Sequence, residues 1–298
     1  MEQLQNIKNY IILHNGKIIT KSISENIEVS ESIITVKQAT NLQISYIVDR
    51  QDSYNMELHV ESPTLDLIET INCQSEANYR RSTLINSHSN VTRYVNIDSM
   101  MSAKLQVKDT VEVKKNGHIK CAYVDFSNAL TNGDFQYDLA GEYAQAKIRI
   151  GVLSKKEESK EYKIHLRHLA PYTMGHMDNY GVVKDTAALV IDGIGTIPQG
   201  NYQSDNHQVN KILVFNKDCQ AKANPYLYID EYDVKASHGA SVGKVDDEQL
   251  YYLQSRGLSK DEALHLITYG YFIPVLEFIT NEQLQEQYNQ LLKEKVGI

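Results

Sequence analysis

The stretch DVKASHGASVG, residues 233–243, sets one histidine among small residues and valines. In an extended strand alternate side chains share a face, so Val234, Ala236, His238, Ala240 and Val242 fall together and Lys235, Ser237, Gly239 and Ser241 fall opposite. His238 therefore sits on the apolar face. An imidazole there must find a hydrogen-bond partner, ligate a metal or be covered by another chain, because burying an unpaired polar group costs a few kcal/mol. Ala236, Gly239 and Ala240 leave room beside the ring for a close backbone or an added ligand. On these residues alone, a satisfied interior histidine is the simpler reading.

Other candidates for chemistry fall away. His165 and His168 of HLRHL, with the later His176, suggest a metal cluster at first sight. A spacing of three in a strand sends two side chains to opposite faces, however, so His165 and His168 are not expected to share an ion. Cys73, Cys121 and Cys219 are far apart and form no C-x-x-C pair, which indicates neither a disulfide framework nor a thiolate metal site. They are expected to be core residues. The order G-x-x-x-x-G-K-[ST] is absent, as is a nucleophile beside a base, so the chain is not expected to be an enzyme.

The elements that must position His238 are strands. From Ile18 to about residue 245 the sequence is a succession of short alternating segments, among them NIEVS, NLQISYIV, LQVKDTVEV, HIKCAYVDF, AKIRIGVL and KILVF. Asn, Ser, Asp and Gly clusters separate them, and stretches of 3.6-residue period are nearly lacking, which disfavours an α/β sheet. Spacing alone leaves a sandwich, a barrel or a solenoid open. Gly193, Gly195 and Gly200, read as turn residues, fit the strand-then-corner rhythm of a β-helix, although no strict repeat is present.

After VGKVDDEQL the pattern changes to helices. Asp246 caps the first, which carries Leu250 and Leu253 and ends at Gly257. Ser259 and Glu262 form a capping-box pattern for the second, with Leu264, Ile267 and Tyr271 at helical spacing. Pro274, Thr280 and Asn281 then separate off a third, with Leu284, Tyr288 and Leu291 as its stripe. These helices read either as a plain cap blunting the last edge of the β domain or as a docking arm.

Composition narrows the partners. A chain of 298 residues with 42% hydrophobic content fills a sizeable core, and a net charge of −8 lacks the basic excess that phosphate backbones demand. No nucleic-acid partner is expected. MEQLQNIKNY has neither the basic start nor the apolar stretch of a signal peptide. No apolar run approaches the roughly 20 residues of a membrane helix, so a cytoplasmic location without membrane contact is expected.

The tail DVKASHGASVGKVDDEQLYYLQSRGLSKDEALHLITYGYF is similar to the C-terminal signature of the SufB/SufD family of iron-sulfur cluster assembly proteins. It combines a Ser-His-Gly-Ala core, a Val-Gly step, an acidic Glu-Gln-Leu helix start with aromatics, and Ser-Arg-Gly before a second helix. Upstream, GVVKDTAALVIDGIGTIPQG, the pair Asn206 and Gln208, NKILVF and NPYLYID resemble the family's last β-helix turns. The resemblance runs from about Gly181 to Phe272 and more diffusely through ALTNGDFQYDLAGEYAQ and HLRHLAPYT. Together with the alternation it implies a mainly β fold, a right-handed parallel β-helix (solenoid) with a small α-helical C-terminal domain. The expected division is a segment 1–20, a β-helix core 21–245 and a helical domain 246–298.

SufB-like chains of the family carry a cysteine directly after the corresponding strand glutamine and a glutamate directly after the signature histidine. Here those positions are Val209 and Gly239. Thiolate is the soft ligand that iron and sulfide favour, so this chain lacks the scaffold's main ligand and resembles the SufD branch. That branch usually reads Cys-Ser-His-Gly-Ala-Thr, and its histidine is implied to reach across the SufB interface. His238 takes this role by position, while Ala236 replaces the cysteine. The resemblance thus implies a non-catalytic scaffold subunit that pairs with a SufB-like paralogue, or with itself as a homodimer. His238 would be a metal ligand at a nascent, transient iron-sulfur cluster, with no tightly bound cofactor on this chain alone. It further implies binding of SufC, an ABC-type ATPase, and indirect supply by a cysteine desulfurase system. Val209, Ser237, Gly239, Arg256, Gly257, Leu264, Ile267 and Tyr271 are the implied partner-facing residues. The rival expectation is a β-solenoid enzyme acting on polysaccharide or an acyl donor, with His238 as general base.

Overall fold

The computed structural model describes residues 7–38, 40–99 and 102–296. Among them, nineteen strands precede three helices. The chain opens with two antiparallel hairpins, β1 (Tyr10–His14) with β2 (Lys17–Ser22) and β3 (Ile27–Ser30) with β4 (Ile33–Val36). It then winds through β5 (Asn41–Val48), β6 (Asp52–Val60), β7 (Thr64–Cys73), β8 (Ala77–Ile85), β9 (Asn90–Asp98), β10 (Lys104–Val113), β11 (His118–Asp125) and β12 (Leu130–Leu139). It continues through β13 (Gln145–Ser154), β14 (Ser159–His168), β15 (Met174–Val183), β16 (Ala188–Ile197), β17 (Asp205–Val214), β18 (Gln220–Ile229) and β19 (Lys235–Lys244). From β5 on, odd strands pair in parallel in one sheet and even strands in a second, giving the order β19-β17-β15-β13-β11-β9-β7-β5-β1-β2 and the order β18-β16-β14-β12-β10-β8-β6-β4-β3. The fold is a parallel β-solenoid of about seven turns, as the sequence predicts. The stretch expected to stand apart as 1–20 includes β1, which pairs in parallel with β5 as part of the first sheet.

Alternation builds the lumen. In β5, Leu42, Ile44, Tyr46 and Val48 point inward and are buried, and the same phase repeats along the stack. Each rung satisfies the backbone of the next, so only terminal strands keep free edges. Rungs lengthen along the chain: Ser53 and its partner Asn78 are 25 residues apart, Asp192 and Asn224 are 32 apart. That drift hides the repeat from the sequence. Corners are tight, and Asn116 (φ 54°) and Tyr172 (φ 60°) adopt left-handed backbone there. Their amides donate to the next corner at Glu142 O and Tyr202 O, both at 3.0 Å, which offsets the strain.

Gly193 and Gly195 do not lie at turns. Both face inward from β16, where a Cβ would come within 2.9 Å of Asn210 and 2.6 Å of Asn206. They are small because asparagines from the opposite sheet occupy the lumen; Gly200, with φ 91°, is the corner residue.

Polar side chains also enter lower rungs. Arg93 Nε donates to Glu69 Oε2 at 2.6 Å, Arg93 also pairs with Asp109, and Arg81 pairs with Glu69. All four are buried, and their charges cancel.

The helices are α1 (Asp247–Ser255), α2 (Lys260–Leu276) and α3 (Glu282–Val296). The capping box of Ser259 and Glu262 is formed, and Asp246 caps α1 through Glu248 N at 2.9 Å. Pro274 does not end α2. The helix runs past it to Leu276, and Arg149 donates to the Pro274 carbonyl. Phe272, Val275, Leu276, Leu284, Tyr288 and Leu292 pack on Ile68, Tyr94, Ala122, Val124 and Leu153, the outer face of the first sheet. Lys295 locks α3 down, donating to Ser127 O, Asn128 Oδ1 and Glu158 Oε1; burial and neighbouring Lys160 hold its pKa down to about 8. The α2–α3 pair thus covers the flank of the solenoid, whereas β19 remains exposed along almost its whole length.

Candidate functional site at the open end of the solenoid

The last complete rungs carry a polar lumen. From β17, Asn206, Gln208 and Asn210 point inward and are buried. Gln208 Nε2 reaches across to the carbonyl of Tyr226 on β18 at 2.8 Å, and Asn210 Nδ2 reaches that of Asn224 at 3.0 Å. Asn210 Oδ1 in turn accepts from Asn179 on β15 at 2.7 Å. These amides tie the two sheets together where an apolar filling would otherwise do so. Gln208 Oε1 and Asn206 Nδ2 are buried with no protein partner.

One rung deeper, His168 ends β14 and is fully buried. Nδ1 lies 2.7 Å from Thr173 Oγ1 and Nε2 lies 3.2 Å from Asn206 Oδ1. Both ring nitrogens thus have a partner within hydrogen-bond reach, and Thr173 Oγ1 itself donates to the Ala170 carbonyl at 3.0 Å. Burial pushes the pKa of His168 down to about 4, against the partial support of Asn206, so the ring is neutral near pH 7. His165, on the opposite face as expected, binds Thr196 Oγ1 at 2.8 Å.

β19 lies over this floor. Its register sets Ala236 on Asn206, His238 on Gln208, Gly239 on Val209 and Ala240 on Asn210. His238 therefore continues the column of lumen residues, but no further rung covers it and it is exposed. Lys235 N donates to Ser204 O and Val245 N to Val214 O. In a parallel ladder alternate residues turn their amides to the same side, so the N–H groups of Ala236, His238, Ala240 and Val242 face the unpaired edge. The neighbouring edge differs. In β18 the even residues bond inward, as at Gln220 N to Ala187 O, and Pro225 stands at a position whose amide would face outward. Proline there removes an edge donor at no cost to the ladder.

The expected partner-facing residues fall into two sets. Val209, Ser237 and Gly239 neighbour His238 along the ladder of β17 and β19 but face the outer side of the sheet, opposite to the imidazole, and a Cβ on Gly239 would meet nothing within 4 Å. Arg256 and Gly257 are exposed after α1, with the guanidinium 5.1 Å from the Tyr252 ring. Leu264, Ile267 and Tyr271 are half-buried on α2, Tyr271 edge-on to Tyr180 at 6.0 Å. Among the cysteines, Cys73 and Cys121 are buried and Cys219 is half-buried beside the core.

Sequence reasoning missed a second group on the outer face of the same sheet: His176, Asp205 and His207. His176 was considered only with His165 and His168. Asp205 and His207 are two apart on one strand face, but the third member lies 31 positions away and becomes a neighbour only through the His176–His207 register.

The fold is that of parallel β-solenoids whose helical tail folds back on one sheet. Within that class the chain belongs to the SufB/SufD family, since residues 33–271 match the profile described as SUF system FeS cluster assembly, SufBD core domain. The iron-sulfur cluster assembly protein SufD of Bacillus subtilis is 35% identical over 159 residues, 53% of this chain and 36% of that protein. SufD of Escherichia coli is 30% identical over 149 residues, 50% of this chain and 35% of its own length. An iron-sulfur cluster assembly SufBD family protein of Synechocystis sp. is 30% identical over 109 residues, 37% and 24% of the two chains. The matches thus span about a third of the two SufD proteins. Likeness to proteins named SufD agrees with Val209 and Gly239 standing where SufB-like chains carry cysteine and glutamate. Among the described residues, no helix is long and apolar enough to cross a membrane.

Proposed function

We propose that this chain is a non-catalytic, SufD-like subunit of an iron-sulfur cluster assembly scaffold, and that β19 is the edge on which a SufB-like partner docks. The observation that supports this most directly is an exposed histidine on the lumen side of an unpaired parallel edge strand. A partner strand laid on β19 would cover His238 and bring its own ligands to the imidazole. Neutral imidazole binds iron and releases it more readily than a full set of thiolates, which suits a site that must give up its cluster. The cluster is cargo here, held transiently between chains.

The division into a β core and a helical arm from residue 246 is part of the same reading. Exposed Arg256, Lys260 and Glu262 near the α1–α2 turn offer a docking surface for a SufC-like ATPase, which would supply the ATP hydrolysis that this chain has no P-loop for. Sulfur would come from a cysteine desulfurase system in the same cytoplasmic compartment.

The test is co-expression with SufB-like and SufC-like partners, anaerobic purification, and visible spectroscopy of cluster formation. His238→Ala removes a ring from an exposed face, so it should change stability by no more than about 0.5 kcal/mol and leave the complex intact. Cluster formation should fall severalfold or more. Wild-type cluster formation in this variant would refute the ligand role. Unchanged calorimetric affinity for the ATPase after charge reversal at Arg256, Lys260 and Glu262 would refute the docking surface.

A further inference from the structure

His176 on β15 and Asp205 and His207 on β17 project from the outer face of the first sheet, opposite to the lumen side that His238 occupies. Their donor atoms lie within 4.8 Å of one another. His176 Nε2 is 3.6 Å from Asp205 Oδ1, and His207 Nε2 is 2.8 Å from the same oxygen. Both His176 Nε2 and Asp205 Oδ1 are shut off from solvent and lack a hydrogen-bond partner, although their side chains are about a third exposed. The His207 contact is close but out of line for a hydrogen bond. Two lone-pair donors and a carboxylate oxygen thus converge on one point without satisfying one another.

We propose that His176, Asp205 and His207 bind one divalent first-row transition ion, of the Fe2+ or Zn2+ type, with open positions for water or a further ligand. Two imidazoles and one carboxylate are the donor set of such ions. Metal–ligand bonds of about 2.0–2.1 Å in tetrahedral array separate ligand atoms by about 3.4 Å. The 3.6 Å pair is already near that spacing, the 2.8 Å pair must open by about 0.6 Å, and the two imidazoles, within 4.8 Å of each other, need close by no more than about 1.4 Å, which rotation of partly exposed side chains supplies. His207 Nδ1 is hydrogen-bonded to Ser237 Oγ on β19. With the ring proton on Nδ1 that bond fixes the ring and leaves the Nε2 lone pair for a metal, the outer support typical of metal-bound histidine. Other histidine–carboxylate contacts lack this convergence: the Asp49 partner of His14 is also bonded by Asn15, and His59 meets Glu57 of its own strand at 3.7 Å. The inference does not depend on the role proposed for His238.

The experiment titrates the metal-free full chain anaerobically with Co2+, and with Zn2+ in competition. One equivalent of Co2+ should give visible ligand-field bands that Zn2+ abolishes. His207→Ala, His176→Gln and Asp205→Asn should each weaken binding by about 100-fold, and Ser237→Ala by about tenfold. His238→Ala should leave it unchanged. Circular dichroism and thermal midpoints of the metal-free variants should match wild type, since all three side chains are partly exposed. Absence of saturable Co2+ binding would overturn the proposal. So would binding that survives His176→Gln and His207→Ala, or that disappears with His238→Ala alone.

Discussion

His168 and His238 both point into the solenoid, yet water reaches only one of them. The buried ring makes the fold sensitive to acid. With the folded pKa of His168 held at about 4 and an unfolded value near 6.5, the unfolded chain takes up the proton first as pH falls. The contribution is therefore fully present above about pH 6.5 and is lost progressively down to about pH 4, an effect of about 3 kcal/mol in all. Urea unfolding at several pH values across this window should show the slope, and His168→Gln should flatten it. An unchanged slope in that variant would exclude His168 as its source. At this scale period-two alternation, which needs only the local strand, puts His238 on one face with Ala236 and Ala240, and the register of β19 makes that the lumen face. The sequence alone could not assemble His176 with Asp205 and His207, or Gly195 with Asn206, because those meetings depend on rung lengths that no local pattern encodes.

Among the elements, β7 and β9 depart from simple alternation, for a physical reason. Glu69 and Arg93 break the apolar alternation on the lumen side, while Ile68 and Tyr94 add apolar residues on the outer side where α2 and α3 cover the sheet. The strands are buried on both faces, so the period of two is blurred. The strands β10 and β17, with cleaner alternation, are legible in LQVKDTVEV and KILVF, as is the capping box of α2. Pro274 misled because proline usually ends a helix, whereas here α2 continues through it with Arg149 bonded to its carbonyl. The buried quartet also makes a strong demand on β9. Arg93→Ala would leave Glu69 and Asp109 short of their shared cation in a dry lumen, and should cost about 3–5 kcal/mol in chemical denaturation. A loss below about 1 kcal/mol would mean that Arg81 alone compensates both acids.

For the whole molecule, the edge strand gives a test of assembly that spares the fold. The Ala240 amide faces the open side of β19, so Ala240→Pro deletes an edge donor without breaking a bond to β17, and Gly239 before it is already extended. The variant should remain monomeric and folded by circular dichroism, and should fail to pair with a SufB-like chain or with a second copy in size-exclusion chromatography. If it pairs as wild type does, the interface lies elsewhere.

The two ends of the stack are finished differently. At one end, the outermost strands β2 and β3 belong to antiparallel hairpins, β3 is four residues long, and β2 exposes Lys17 and Lys21. At the other, a ten-residue parallel strand is left bare. In the language of polymer chemistry the described solenoid is, on the proposed reading, monofunctional: it has one reactive end group and one chain stopper. Head-to-tail growth, the route by which open sheets turn into fibrils, requires both ends to be reactive, and here one is quenched. If solenoids join through their bare ends, as proposed, the joining consumes them both and stops at two, and a cluster site made in this way would be sealed at a single, countable junction.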